Sequence, residues 1–148
     1  MNIVEQIFDA IVDTAQSSLG QEYTQMRRVY SPEQNDSRTA KKAFSVVHGS
    51  ADYTEGVTRV YTMDHGFRLQ IMNTIVERDN DSKIQEAINE MYSKADDFLR
   101  NAFLTKLGLS SVVLNVDQPN IEEPQILENG TALLVVGFNV KYRQAVNL

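Results

Sequence analysis

The sequence contains no cysteine. A disulfide framework, a thiolate zinc site and a cysteine nucleophile are therefore excluded, and the absence fits a reducing cytoplasm. Glycine occurs seven times, but Gly20, Gly49, Gly56, Gly66, Gly108, Gly130 and Gly137 form neither G-x-G-x-x-G nor a P-loop. None precedes a lysine, so the backbone-amide cradle that nucleotide phosphates require is missing. No window approaches about 18 consecutive apolar residues, so no membrane span is expected. The residues Met1-Asn2-Ile3-Val4-Glu5-Gln6 lack the basic flank and apolar core of a secretory signal, and none is expected.

Positive charge is also scarce. Fourteen basic residues face 20 acidic ones, a formal charge of −6, and such a chain repels phosphate backbones unless its cations cluster. The one basic-leaning stretch, residues 21–50, sets Arg27, Arg28, Arg38, Lys41 and Lys42 against Glu22, Glu33 and Asp36. It lacks the alternation of basic and aromatic residues that makes a stacking platform for single strands. Specific nucleic-acid binding is not expected.

Chemistry-bearing residues are present but not in working combinations. The histidines, His48 and His65, fall on different predicted strands and meet only if tertiary structure brings them together. Asp64-His65 beside Asp52 or Glu55 could form a carboxylate–histidine site, whereas the ordinary reading is a turn or cross-strand partner. Asp79-Asn80-Asp81 begins like a calcium loop, yet Lys83 and Ile84 stand where an oxygen ligand and a glycine are required. Neither Ser45 nor Ser110-Ser111 sits in a nucleophile elbow. Asp96 and Asp97 diverge by about 100° on a helix and serve its solubility. No catalytic, cofactor-binding or metal-binding residues are assigned, and no enzymatic activity is expected.

What is there is a well-patterned globular chain of 148 residues, 42% hydrophobic and 23% charged. That is the size and composition of one domain, 1–148. Ile3, Val4, Ile7, Phe8, Ile11, Val12, Ala15 and Leu19 recur at helical spacing and predict an amphipathic helix closed by Gly20. A short strand is predicted within Tyr23–Tyr30. The polar run Ser31–Thr39 follows, a surface loop reaching to about residue 42. Ala43–His48 reads as a strand ending at Gly49. Val57–Val76 is β-rich throughout, too long for one strand at about 65 Å, so a bend is expected at His65-Gly66. Ser82 with Gln85 forms a capping box. A long helix follows, its stripe running from Ile84 through Met91, Ala95, Phe98 and Ala102 to Leu107, and Gly108 ends it.

Val112–Val116 is a further strand, and Asp117–Glu128 then carries four acids (Asp117, Glu122, Glu123 and Glu128) with no base. Asn129-Gly130 predicts a type I′ hairpin turn. The strand Thr131–Arg143 puts Leu134, Val136, Phe138, Val140 and Tyr142 on one face. Helix, strands, long helix, strands, without a βαβ rhythm, is the order of an α+β fold: an antiparallel or mixed sheet packed by an N-terminal helix and one long central helix.

This order resembles the tail terminator (tail completion) proteins of long-tailed bacteriophages. The resemblance is carried by the helix Ile3–Leu19, by Phe44-Ser45-Val46-Val47-His48-Gly49 with the long strand through Phe67-Arg68-Leu69-Gln70-Ile71 into a long helix, and by the closing hairpin ending Phe138-Asn139-Val140-Lys141-Tyr142. It implies a virion assembly protein that caps the tail tube and joins it to the head, assembled in the host cytoplasm as a ring of identical subunits, typically six. Its implied partners are its own copies, the tail tube protein and a head-completion or connector protein, with no cofactor. Arg27, Arg28, Arg38, Lys41 and Lys42 are then the candidate assembly interface. Alternative readings are a related neck or tail adaptor and a small cytoplasmic enzyme or ligand-binding domain.

Overall fold

The computed structural model describes residues 2–26, 41–57, 60–75 and 79–145, with backbone alone at 54–57 and 145. The order is α1 (Ile3–Leu19), β1 (Thr24–Gln25), β2 (Lys42–Val57), β3 (Val60–Thr74), α2 (Asp81–Thr105), β4 (Val113–Ile121), β5 (Gln125–Ile126) and β6 (Thr131–Ala145). Among the described residues six strands form one mixed sheet in the order β1-β2-β3-β6-β4, with β5 also paired to β6, and of these pairings only β1–β2 is parallel. The two helices cover one face, and the fold is α+β.

The helix α1 spans the predicted residues and ends at Gly20, whose φ of 94° suits glycine. Asn2 caps its start by accepting from the Glu5 amide at 2.8 Å. Gln16 reaches past the end to donate to the Gly20 and Tyr23 carbonyls. On α2, Met91, Ala95, Phe98 and Ala102 are buried at spacings of four, three and four, one seam along the helix. Asn101 of α2 donates to Ser18 of α1 at 2.9 Å, pinning the helices together.

The cap of α2 is not the predicted capping box. Asn80 is the N-cap and accepts from the Lys83 amide at 3.2 Å, so the helix begins before Ser82 can serve. Its end also differs: Lys106, Leu107 and Gly108 take φ of 49°, 60° and 70° in succession. Two non-glycine residues in this region cost about 1–2 kcal/mol each, and the reversal places Leu107 in the core.

The predicted bend lies on a different strand. β3 runs unbroken from Val60 to Thr74, paired with β6 at every residue. The irregularities are in β2: Gly49 and Ser50 oppose the single residue Gly66, a β-bulge, and a second register shift falls between Tyr53 and Glu55. Strand β2 therefore does not stop at Gly49 but continues to Val57. A Cβ at Gly49 would sit 3.0 Å from the Gly66 carbonyl oxygen, a tight contact that glycine avoids where the two backbones pass closely.

The closing hairpin is present with another turn. Leu127 and Thr131 flank a three-residue loop, the Gly130 amide donates to the Leu127 carbonyl, and Gly130 alone has positive φ. A one-residue shift in loop length replaces the type I′ geometry. The strand predicted at Val112–Val116 runs on to Ile121 as an edge strand, broken by two register shifts and by Gln118 at φ 52°. Pro119 is tolerated because this is an edge. Of the strand predicted at Tyr23–Tyr30, Thr24–Gln25 is β1, while 27–30 and the Ser31–Thr39 run lie outside the described residues.

Alternation divides the sheet into two faces. Phe44, Val46, Phe67, Leu69, Ile71, Leu134, Val136, Phe138, Val140 and Tyr142 join α1 and α2 in the main core. Ala43, Met72 and Leu133 form a second buried cluster on the other face, with Met26 and Val135 against it.

Candidate functional site

Three features stand out on this frame. The first is an ion cluster at the start of β2. The Lys42 ammonium donates to Glu22 and Glu90, both at 2.9 Å, and lies 5.7 Å from the Tyr23 ring centre. The Tyr23 hydroxyl donates to the other Glu90 oxygen at 3.2 Å. Burial pulls the Lys42 ammonium down, but its bonds to Glu22 and Glu90 outweigh this and its pKa lies above the ordinary value. The same hydrogen bond, with the Lys42 charge, lowers Glu22. Burial, then the Glu90 carboxylate, raises Tyr23.

The second is a polar chain in which His65 and Tyr142 are buried and His48 is exposed. His48 and His65 do meet: His48 pairs with Phe67, two residues from His65 on the same face. His48 Nδ1 lies 3.3 Å from His65 Nε2, and His65 Nδ1 lies 3.3 Å from the Tyr142 hydroxyl. Each bond needs one proton, so the chain runs either from Tyr142 to His48 or in reverse. Phe8 stacks on His48 at 4.9 Å and Phe67 on His65 at 4.3 Å. Burial, then the neighbouring His48, lowers the His65 pKa. Burial, then the Tyr53 charge, raises Tyr142.

The third is the arm beyond the bulge, formed by the distal part of β2, the start of β3 and the end of β6. Register places Tyr53 opposite Met63, on the face that carries His65 and Tyr142 nearer the helices. Met63 is buried, yet Tyr53 is 70% exposed, and Tyr61 is partly exposed beside it. Their rings meet edge to face at 5.3 Å. The core-side face of the sheet thus continues past the helices with two tyrosines on it.

The sequence-predicted interface residues separate. Lys42 is turned inward to its two glutamates, while Lys41 is exposed beside it. Arg27, Arg28 and Arg38 lie outside the described residues. Asp96 and Asp97 both approach Arg100, at 2.6 and 4.0 Å. Ser45 is fully buried and donates to Gln70 at 2.8 Å. Asp79-Asn80-Asp81 is the entry to α2. Among the described residues no three histidine or carboxylate groups stand close enough to hold a metal ion, and no helix is long and apolar enough to cross a membrane. Sequence reasoning missed Glu90 and Tyr53. Only pairing across the fold identifies Glu90. Tyr53 was hidden because the bulge shifts the alternation from even to odd residues.

No protein-family model matches the chain, and no curated protein matches it.

Proposed function

We propose that this chain is a structural assembly protein that forms a ring of identical subunits at the end of a bacteriophage tail tube, where it joins tail to head. The observation that carries the assembly reading is the arm. An exposed, mutually packed tyrosine pair on a long strand hairpin is the kind of surface that protein interfaces bury, because aromatic side chains supply large contact area at low entropic cost. The order of elements supports the tail-end assignment through its resemblance to tail terminators. No step in this reading draws on the His48–His65–Tyr142 chain, whose ring nitrogens and hydroxyl pair with one another.

The purified chain, mixed with preformed tail tubes and imaged by negative-stain microscopy, should appear as a cap at one tube end. Decoration along the tube wall, or no association, contradicts the tail-end assignment. Binding only to a connector protein favours a neck adaptor.

A further inference from the structure

On the helix-facing side of the sheet, His48, His65 and Tyr142 form one line from solvent to core. His48 is exposed, whereas His65 and Tyr142 are buried. His48 Nδ1 lies 3.3 Å from His65 Nε2, and His65 Nδ1 lies 3.3 Å from the Tyr142 hydroxyl. Both nitrogens of the middle ring are engaged, so the position of its single proton sets the direction of the whole line. With that proton on Nε2, Tyr142 donates to His65 and His65 donates to His48. With it on Nδ1, both bonds point the other way.

Burial selects between the two while His48 is neutral. Among the described residues, the hydrogen-bond partner of the Tyr142 hydroxyl is His65, and a buried O–H left without an acceptor is costly. Tyr142 therefore donates, and His48 Nδ1 is the acceptor at the solvent end. A proton arriving at the pair goes to the exposed ring, because burial and then the neighbouring His48 both oppose charge on His65. The other groups facing the line are Phe8 of α1, stacked on His48, Phe67, stacked on His65, and Tyr53, whose charge acts on Tyr142. The charged neighbours of Phe8, Glu5 and Asp9, are solvent-exposed. Strand alternation turns Asp52, Asp64 and Lys141 to the opposite face, where Asn139 donates to Asp64 and Lys141 pairs with Asp117.

Protonation of His48 makes that direction untenable. An imidazolium carries N–H at both nitrogens, so Nδ1 can no longer accept, and two N–H groups would face each other across the 3.3 Å contact. A change of tautomer at His65 removes the conflict. The His65 Nε2 proton passes to His48 Nδ1, and a solvent proton takes its place on His65 Nδ1. One solvent proton is taken up in all, and the charge stays on His48. Tyr142 keeps its own proton but turns it away, and its oxygen accepts from His65.

We propose that this line is a pH-sensitive switch: protonation of His48 at the surface reverses both hydrogen bonds, and the buried Tyr142 hydroxyl changes from donor to acceptor. The switch stands apart from the ring reading, since it lies within one copy of the chain. It carries a surface event two side chains inward with no movement of the backbone.

The test is nitrogen NMR of the full chain with labelled histidine, followed from about pH 8 to pH 5, the range in which histidine changes charge. The sequence holds two histidines, so the spectrum of a His48→Phe variant is that of His65 alone and assigns both rings. In the wild type, His65 should carry its proton on Nε2 at high pH and move it to Nδ1 as His48 titrates, remaining neutral throughout. In His48→Phe the move should be lost over the same range. In Tyr142→Phe, which keeps the ring and removes the hydroxyl, the high-pH preference for Nε2 should give way to a mixture of tautomers. A His65 that holds one tautomer while His48 titrates, or that becomes doubly protonated with it, overturns the switch. So does a tautomer change that persists in His48→Phe, because another group then drives it.

Discussion

At the scale of single residues, the buried His65 and the half-buried Lys42 set how the fold responds to pH. His65 is held neutral by burial beside His48, whereas the unfolded chain binds its proton near the ordinary value of 6.5. The unfolded state therefore takes up more protons as pH falls below about 6.5, and stability declines in that direction. Replacing His65 with phenylalanine should flatten the fall of the urea midpoint below about pH 6.5. An unchanged slope would mean that another group governs it. Lys42 works at the other extreme. Its pKa is raised, so the stability it supplies is present below about 10.4 and is lost as pH rises through the folded value. Lys42→Met should cost about 1–2 kcal/mol at neutral pH, the usual worth of charge-assisted hydrogen bonds. A neutral effect in urea denaturation would show that Glu90 and Tyr23 hold that corner alone. Neither role was legible in the sequence. Lys42 looked like one of five surface cations, and only the tertiary placement of Glu90 turns it inward. The two histidines are 17 positions apart, and the cross-strand register that pairs His48 with Phe67 decides that they share a face.

At the scale of elements, periodicity was a good guide and chain reversals were not. Ile3–Leu19 appears as a helix with the predicted bounds, and Leu134 to Tyr142 alternate into the core as their spacing demands. Both patterns span enough residues for burial to dominate. The reversals depend on one or two hydrogen bonds, and alternatives compete closely. Asn80 outcompetes Ser82 as the cap of α2, and Gly130 makes a three-residue loop where a two-residue turn was equally compatible with Asn-Gly. Two substitutions separate the caps: Asn80→Ala should cost about 1 kcal/mol, while Ser82→Ala should be close to neutral. Equal losses in thermal melts would return the cap to Ser82. The bend was expected from length alone, and length cannot say which of two paired strands accommodates it. Gly49 does, because its backbone passes so close to Gly66. Gly49→Ala should destabilise by about 1–3 kcal/mol, as overpacking does, with the loss read as a lower melting temperature.

At the scale of the whole molecule, the parts divide the work. Two helices close one face of the sheet, and a second apolar cluster occupies the other. Among the described residues, the arm carries Tyr53 and Tyr61 open to solvent. The sequence carries no catalytic motif, and it does not mark where surfaces suited to other chains would lie. That information lies in strand order and register, which no single stretch of sequence contains. The central claim is that these surfaces serve self-assembly, and native mass spectrometry of the purified wild-type chain beside a Tyr53→Ser, Tyr61→Ser variant tests it most directly. The account predicts a closed ring for the wild type and a folded monomer for the variant. A wild type that remains monomeric at high concentration and with tube protein added, or a variant that assembles as fully as the wild type, would contradict it.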